Sequence, residues 1–346
     1  MKTTAKEIAN FLQISPSAVS LALNGRPGVS PATRKRVIEA AEQLGYTNVK
    51  NLDQIKPLTN LRFIIYTGGQ NVVKEISFYS IVLKGIEKEA RTLGYNVFVS
   101  YLSQNDHLAS QFRLLSKDVD GILLLGTELK LHDKIFDIFV NNAECPIIVV
   151  DNNLFGFDAD CVATDNVGGA YRAIRFLVEN GHTNIGYFCS KQRIPNFDER
   201  TEGILLAQKE FPEIQVKKIP VNFSTDKAHE EITAWLKEQS EIPTAFFSDS
   251  DIIAFGAMQA FTSLGYKIPD DISMIGFDDM PACEMVSPPL TSVQVMKVQM
   301  GKQAVQLLHN RIAGAKSSFS KANYRMIIST KIKIRQSVAP LKHKKA

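Results

Sequence analysis

The sequence lacks the features that mark membrane, secreted and metal-binding proteins. No apolar run reaches the roughly 18 residues needed to span a bilayer, and the amino terminus is polar and basic, without the apolar stretch of a secretory signal. The four cysteines are scattered and form no C-x-x-C pair, which favours free thiols in a reducing cytosol over a disulfide framework or a zinc site; they are Cys145, Cys161, Cys189 and Cys283. We therefore expect a cytoplasmic protein that uses no metal or other cofactor and has no membrane partner.

Catalytic motifs are also missing from the sequence. It contains no G-x-G-x-x-G, G-x-x-x-x-G-K-[ST], G-x-S-x-G or H-E-x-x-H, and the six histidines show no metal-ligand spacing. Two acidic runs, Asp249-Ser250-Asp251 and Asp278-Asp279, supply too few converging oxygen atoms for a divalent cation. Carboxylates at the ends of strands more often accept hydrogen bonds from a polar ligand. The sequence thus predicts that the protein is not an enzyme.

Positive charge is concentrated at the amino-terminal end. Residues 1–60 hold eight lysines and arginines against four acidic residues, which accounts for the whole formal net charge of +4. The remaining residues are balanced. A basic module joined to a neutral body indicates attraction to phosphate groups at one end of the chain only.

Residues 4–24 predict two short helices joined by a tight turn. The first helix has an apolar stripe at helical spacing, formed by Ala5, Ile8, Ala9 and Leu12. Ser15 and Pro16 form an N-cap and first-turn pair, and the second helix buries Val19, Ala22 and Leu23. This pattern is typical of a helix-turn-helix, although an ordinary helical hairpin would show the same periodicity.

A third helix follows at once. Ser30 and Pro31 again form an N-cap pair, and the apolar face consists of Val37, Ala40, Ala41 and Leu44 before a stop at Gly45. The stretch ISPSAVSLALNGRPGVSPATRKRVIEAAEQLGY resembles the DNA-binding headpiece of the LacI family of transcriptional repressors. The resemblance favours the helix-turn-helix over the hairpin.

From residue 61 onward the sequence alternates between short apolar strands and amphipathic helices. Runs such as RFIIYT, GILLLG and PIIVVD are typical of strands buried on both faces, which predicts parallel sheets. We expect an α/β fold with two doubly wound lobes and a cleft at the carboxyl ends of their strands. The segments GHTNIGYF, PTAFFSDSDIIAFGAM and GYKIPDDISMIGFDD extend the LacI-family resemblance over nearly the whole chain, which implies a body similar to periplasmic sugar-binding proteins.

Because lobes of this kind exchange segments, each should be discontinuous in sequence. The expected division is a headpiece at 1–47, a linker or hinge at 48–60 and an effector-binding and dimerisation domain at 61–341. Within that domain, lobe 1 should comprise about 61–162 and 292–322, and lobe 2 about 163–291 and 323–341.

The family resemblance implies which headpiece residues meet DNA. Ser15 and Ser20 would contact phosphates, while Ser17 and Leu21 would face base edges in the major groove. The whole predicted set is Thr4, Ser15, Pro16, Ser17, Ser20, Leu21, Asn24, Ser30, Thr33 and Arg34. The linker keeps Asn48 but lacks the Pro and Ala-Arg pattern of the family's hinge helix, so Leu52 or Ile55 is a candidate minor-groove wedge and a plain flexible linker is the alternative.

The resemblance also implies an effector site. Arg200 and Asp278 align with the arginine and aspartate that bind effectors in the family, and a guanidinium and a carboxylate can hold neighbouring hydroxyls from two sides. Phe78, Tyr79 and Phe223 align with aromatic residues that stack on effectors, and Ser250 stands where several relatives have asparagine. A structural ion pair between Arg200 and Asp278, and core packing of Phe223, are the alternatives.

Together these features predict a transcriptional regulator of the LacI type. It would bind palindromic operator DNA as a homodimer or tetramer and respond to a small polar effector, a sugar or sugar derivative, with nucleobases a minority possibility in the family. Two other functions are compatible with the same sequence. One is a cytoplasmic sugar-binding protein with a vestigial headpiece, and the other is a regulator controlled mainly by a protein corepressor.

Overall fold

The computed structural model describes residues 4–23, 29–46, 59–75, 78–104, 107–130, 135–314 and 322–341. The chain forms two compact units. One comprises Met1–Asn60 with Gly94–Asn96, and the other comprises Leu61–Leu93 with Val97–Ala346. Across the described ranges, no helix has both the length and the apolar character that crossing a membrane requires.

In its described residues, the first unit contains three helices, α1 (Ala5–Leu12), α2 (Pro16–Leu23) and α3 (Pro31–Gln43). A reciprocal capping box begins α1, because the Glu7 carboxylate accepts a hydrogen bond from the Thr4 backbone N–H (2.7 Å) and the Thr4 hydroxyl accepts one from the Glu7 N–H (3.4 Å). The start of the first helix is therefore fixed by local hydrogen bonds.

Serine side chains begin the other two helices of this unit. The Ser15 hydroxyl accepts a hydrogen bond from the Ala18 N–H at 3.1 Å, and the Ser30 hydroxyl accepts one from the Thr33 N–H at 3.1 Å. The helices bury a shared apolar core made of Ile8, Ala9, Val19, Ala22, Leu23, Val37, Ala40 and Ala41. The predicted apolar faces of all three helices are confirmed.

The second unit is built on two six-stranded sheets. The first part of the chain supplies β1 (Thr59–Thr67), α4 (Val72–Glu75), α5 (Phe78–Thr92), β2 (Tyr95–Ser103), α6 (Leu108–Leu115), β3 (Gly121–Leu125), α7 (Ile135–Asn142), β4 (Ile147–Val150) and β5 (Asp160–Thr164). The middle part supplies α8 (Asn166–Glu179), β6 (Asn184–Ser190), α9 (Pro195–Glu210), β7 (Gln215–Val221), α10 (Thr225–Glu238), β8 (Ala245–Ser248), α11 (Asp251–Ser263), β9 (Ser273–Asp278) and β10 (Thr291–Gln294). The last part supplies α12 (Lys297–Gly314), β11 (Arg325–Ile328) and β12 (Lys331–Lys333).

The two sheets define two lobes with the same internal order of strands. The first sheet runs β11-β5-β4-β3-β1-β2, and the second runs β12-β10-β9-β8-β6-β7. In the first sheet β3 runs parallel to β1, β4 to β3, β5 to β4 and β11 to β5. In the second sheet β7 and β8 run parallel to β6, β9 to β8 and β10 to β9, whereas β12 runs antiparallel to β10. Every residue of β3, β5, β8 and β9 is buried, as expected for parallel strands covered by helices on both faces. The predicted α/β architecture is confirmed.

The described chain crosses between the lobes three times: from β5 to α8, from β10 to α12, and from β11 to β12. The expected lobe boundaries near 162, 292 and 323 differ from these crossings by a few residues. Strand β10 belongs to the second sheet because Val293 pairs with Phe277, and β11 belongs to the first sheet because Arg325 pairs with Cys161. Each crossing comes after a strand has ended. The expected boundaries at 162 and 292 lie inside β5 and β10, and the one at 323 lies before β11 begins.

Helices α5 and α12 pack closely in the first lobe because each contributes a glycine. A Cβ on Gly85 would lie 2.2 Å from the backbone oxygen of Val298, and one on Gly301 would lie 2.3 Å from that of Val82. No real Cβ approaches a backbone atom so closely, so any side chain at either position would force the helices apart.

The carboxyl-terminal segment is tied to the second lobe by hydrogen bonds. The Ser337 hydroxyl donates to the Met274 carbonyl (2.6 Å) and accepts from the Thr291 N–H (2.8 Å). The imidazole of His182 lies 3.1 Å from the Ala339 carbonyl oxygen, which gives this histidine a structural role.

Candidate functional site

The predicted DNA-binding side chains lie on the surface of the three-helix unit. On α2, Ser17 and Ser20 are exposed and Leu21 is half-buried, while the opposite face packs into the core. Ser15 is exposed, and its hydroxyl lies 3.0 Å from that of Ser17. The second helix therefore presents small polar side chains and one leucine outward.

The other predicted DNA-binding residues that the structure describes lie at or near the starts of the three helices. Thr4, Pro16 and Ser30 are exposed at the starts of the three helices, and Thr33 and Arg34 are half-buried in the first turns of α3. The Ser30 and Thr33 hydroxyls lie 2.8 Å apart. Asn24, Leu52 and Ile55 lie outside the described residues.

A cavity of about 30 Å³, here called the inner cavity, lies between the two lobes at the carboxyl ends of their strands. Four of the predicted effector residues line it, namely Phe78, Tyr79, Arg200 and Asp278. The other lining residues are Val72, Val73, Leu125, Thr127, Asp151, Ile194, Asn196 and Phe197. Its position agrees with the general preference of ligands for the carboxyl ends of strands in α/β sheets.

Arg200, on α9, is held in the wall of the inner cavity by several contacts. Its Nε donates to Asn166 Oδ1 at 3.1 Å, one Nη donates to the backbone oxygen of Asp249, and the other Nη donates to Asp278 Oδ1 at 3.3 Å. The guanidinium also lies 3.6 Å from the centre of the Phe277 ring. Arg200 is therefore only 4 % exposed, and these contacts fix the orientation of its guanidinium.

Asp278 ends strand β9 in an unusual backbone conformation, with φ of 107°. Its carboxylate is buried, and burial raises its pKa although Arg200 and Lys297 favour the charged form. The Lys297 ammonium donates a hydrogen bond to the backbone oxygen of Asp278. Because positive φ is costly for a residue other than glycine, these contacts must stabilise the conformation that places the carboxylate in the cavity.

The structure adds Asp151, which follows β4 in the first lobe and has φ of 63°. The Thr127 hydroxyl donates to Asp151 Oδ2 at 2.6 Å, and the Asn196 amide, from the second lobe, donates to Oδ1 at 3.1 Å. The pKa of Asp151 is raised to about 7, chiefly by burial and also by nearby Asp278, while its hydrogen bonds and Arg200 oppose the rise. Asp151 therefore forms a hydrogen bond between the two lobes.

Asp151 was not among the predicted site residues, although it carries the same signal as Asp278, an aspartate at the end of a buried strand. Glu128 was not predicted either; its carboxylate accepts hydrogen bonds from the N–H groups of Gly68 (2.7 Å), Gln70 (3.1 Å) and Val73 (3.0 Å). These bonds fix the start of α4, which carries Val73 to the cavity wall. Glu128 supports the site from behind.

Two predicted effector residues are not brought to the wall of the inner cavity. Ser250 is fully buried and caps α11, because its hydroxyl accepts a hydrogen bond from the Ile253 N–H at 3.4 Å. Phe223 lies behind Phe197, with ring centres 5.5 Å apart, so that Phe197 faces the cavity in its place. Ser250 therefore serves a helix terminus, and Phe223 supports a cavity residue.

Two family profiles match separate parts of this chain. Residues 4–48, which span the three-helix unit, match the bacterial regulatory proteins of the lacI family. Residues 174–338 match a periplasmic binding protein-like domain. The chain belongs to the LacI family.

Relatives along the full length support this membership in the LacI family. The chain is 28 % identical to the HTH-type transcriptional regulator DegA of Bacillus subtilis over 347 residues, covering 99 % of both chains. It is also 28 % identical to the HTH-type transcriptional repressor PurR of Mannheimia succiniciproducens over 317 residues, covering 90 % of this chain and 92 % of that one. These LacI-family proteins are transcriptional regulators and not enzymes, and this chain is a helix-turn-helix transcriptional regulator of the same family.

Solved structures of transcriptional regulators share the fold. The lac repressor dimer bound to operator and the anti-inducer ONPF has a TM-score of 0.72 and 21 % identity, covering 98 % of this chain and 100 % of that one. The transcriptional regulator CelR in its cellobiose complex has a TM-score of 0.68 and 24 % identity, covering 97 % and 100 %. The predicted pairing of a headpiece with a two-lobed body is confirmed.

Proposed function

We propose that this LacI-family protein binds palindromic operator DNA as a cytoplasmic homodimer and that a sugar or sugar derivative in the inner cavity controls this binding. One observation carries the proposal. Arg200 and Asp278 of the second lobe converge with Asp151 of the first lobe in a single buried cavity. Such buried charges are kept where a ligand or a switch uses them.

The chemistry of the inner cavity suits a ligand rich in hydroxyl groups. Asp151 and Asp278 accept hydrogen bonds from hydroxyls, whereas Arg200 donates to ring or hydroxyl oxygens. Phe78 and Tyr79 provide flat aromatic surface beside these polar groups. The cellobiose complex of the similar regulator CelR supports a sugar as the effector class.

The size of the inner cavity links ligand binding to movement of the lobes. A volume of about 30 Å³ holds on the order of two water molecules, so a sugar must separate the walls to enter. The hydrogen bond between Asn196 and Asp151 joins those walls at 3.1 Å and would be replaced by bonds to the ligand. An effector therefore favours a different spacing of the lobes from the one in the structure, which is the differential binding that a switch needs.

The surface of α2 suits entry into the major groove. The exposed Ser17 can hydrogen-bond several bases, and Leu21 can contact the methyl group of thymine. These two side chains read few base positions. We therefore expect DNA shape and half-site spacing to contribute much of the sequence selectivity.

A thermal-shift screen of sugars and nucleobases tests the effector class. A ligand at 100 times its Kd should raise the free energy of unfolding by about 2.7 kcal/mol, which corresponds to a melting temperature higher by about 5 °C or more. Each ligand found is then added to gel shifts on operator fragments selected from random DNA. If only nucleobases stabilise the protein, the effector is a nucleobase and the proposed sugar is wrong.

Two results of the same experiments would favour the other functions. Sugar binding without any gel shift would indicate a sugar-binding protein with a vestigial headpiece. A gel shift that no small ligand alters, together with capture of a protein that strengthens it, would indicate a protein corepressor.

Substitution of Ser15 tests its proposed phosphate contact separately from its capping role. Ser15→Asp should keep the helix cap, because aspartate is an equally good N-cap, and should leave the headpiece folded. The added negative charge should repel a DNA phosphate and weaken operator binding about tenfold or more at ~0.1 M salt. Fluorescence anisotropy with labelled operator gives the affinity.

Ser15→Asn is the matched control, since asparagine also caps helices but adds no charge. Its affinity for operator DNA should be much closer to that of the wild type than the affinity of the aspartate variant is. Equal affinities for the two variants would remove Ser15 from the phosphate-binding set.

A further inference from the structure

A second and larger cavity adjoins the inner cavity. This outer cavity has a volume of about 420 Å³, within the range of cavities that hold small-molecule ligands. Ile194 lines both cavities. The residues on either side of Ile194 line different cavities: Arg193 lines the outer cavity and Asn196 lines the inner one. The same alternation occurs in the first lobe, where Asp151 lines the inner cavity and Asn152 the outer one.

An exposed aromatic ring lies at the outer cavity. Phe155 follows β4 and is 72 % exposed, although it lines the cavity wall. A phenylalanine so exposed leaves a large apolar surface in contact with water. A flat ring of a ligand lying against this face would remove that surface from water, which is favourable.

Polar groups that suit hydroxyls lie in the same cavity. The Glu199 carboxylate accepts a hydrogen bond from the Asn166 amide at 2.9 Å, which orients it. A carboxylate has about four acceptor positions, so Glu199 can also accept from a ligand hydroxyl. Burial raises the pKa of Glu199, as expected for a carboxyl group turned away from bulk water.

The charges around the outer cavity disfavour an anionic ligand. Two basic side chains, Lys130 and Arg193, face three acidic ones, Asp198, Glu199 and Glu202. Arg193 is already engaged, because it donates to Asp198 at 2.6 Å and to the buried Asp249 at 3.0 Å. Among the described lining residues, the cavity therefore offers no cluster of free cations for a phosphate group.

We propose that the outer cavity is a second sugar subsite, so that the effector is a neutral ligand of at least two rings, such as a disaccharide or a glycoside. One ring occupies the inner cavity, and the next lies against Phe155 with its hydroxyls toward Glu199. The inference rests on the proposed sugar effector and deepens it. A monosaccharide would use only the inner cavity and would leave the Phe155 ring in water.

Calorimetric titration of the full-length chain tests this subsite with matched probes. The probes are glucose with cellobiose and maltose, galactose with lactose, and glucose 6-phosphate as the anionic comparison. We expect at least one disaccharide to bind about tenfold or more tightly than its monosaccharide, and glucose 6-phosphate to bind no more tightly than glucose. Phe155→Ala should weaken that disaccharide about three- to tenfold and leave the monosaccharide unchanged.

Phe11→Ala is the control, because Phe11 is also an exposed phenylalanine (57 %) but belongs to the three-helix unit. It should change neither affinity. Equal affinities for disaccharide and monosaccharide, or a disaccharide preference that survives Phe155→Ala, would overturn the second subsite while leaving a sugar effector in place. A lack of binding by every probe would contradict the sugar effector itself, and the subsite with it.

Discussion

Replacing Arg200 with alanine is expected to lower the free energy of unfolding by about 3–5 kcal/mol and to abolish the response to effector. The buried guanidinium is the only cation in hydrogen-bond contact with the Asp278 carboxylate among the described contacts, at 3.3 Å. Its removal leaves that carboxylate buried without a charged side-chain partner, and it removes the donors offered to a ligand. Urea unfolding and calorimetric titration with the effector measure the two effects.

The variant Asp278→Asn separates structural from ligand-binding roles. It removes one charge but keeps the shape of the side chain and an oxygen acceptor for Arg200, so it should lose less stability than Arg200→Ala. Its affinity for effector should nevertheless fall by on the order of 2–4 kcal/mol, because a charged acceptor of a ligand hydroxyl is lost. A lowered melting temperature with unchanged effector affinity would mean that the pair is only structural.

Arg175→Ala provides the matched control for loss of an arginine. Arg175 pairs with Glu179 four residues later on the solvent-exposed face of α8, at 2.8 Å. Exposed pairs of this kind contribute little. The control should therefore retain both stability and effector affinity, and a large loss in it would show that the assays report on arginine removal in general.

The stability of the folded protein is expected to depend strongly on pH because of Asp151. Its pKa is about 7 in the folded protein against 3.8 for an ordinary aspartate, so between these values the folded state holds a proton that the unfolded state has released. The resulting contribution to stability is fully present below about pH 4 and is lost as pH rises to about 7, by ~4 kcal/mol in total. Stability from this residue therefore falls with rising pH.

Asp151→Asn should remove this pH dependence. The amide can still pair with the Thr127 hydroxyl and the Asn196 amide, but it cannot ionise. Relative to the variant, the wild type should become less stable by ~4 kcal/mol between pH 4 and pH 8, as measured by urea unfolding at several pH values. Asp118→Asn, at an exposed site, should run parallel to the wild type. Parallel curves for Asp151→Asn as well would show that Asp151 is ionised throughout.

Much of the fold follows from local pattern. Helix starts at Ser15 and Ser30 depend on hydrogen bonds to residues three positions away, and buried parallel strands depend on runs of apolar residues. Both signals lie within a few residues of sequence. The family resemblance added Arg200 and Asp278, which the structure brings together in one cavity.

The features of the site that the sequence did not predict depend on which loops meet in three dimensions. Asn196 reaches Asp151 only because β4 and α9 come from different lobes that face each other, and no spacing along the chain encodes that distance. Ser250 aligned with a polar ligand contact in relatives, but a serine there also satisfies the first turn of α11. The Ser250 hydroxyl is occupied by this local hydrogen bond to the Ile253 N–H and does not reach a ligand in the cavity.

The carboxyl-terminal strands carry a consequence for biosynthesis. Strand β11 closes the edge of the first sheet beside β5, and β12 closes the edge of the second beside β10. Neither lobe is complete until residues 325–333 have left the ribosome, whereas the three helices of the amino-terminal unit form their core from local contacts. During translation the DNA-binding unit can therefore fold well before the body that regulates it. A chain released early, without β11 and β12, would present a folded DNA-binding unit joined to a body that cannot respond to effector.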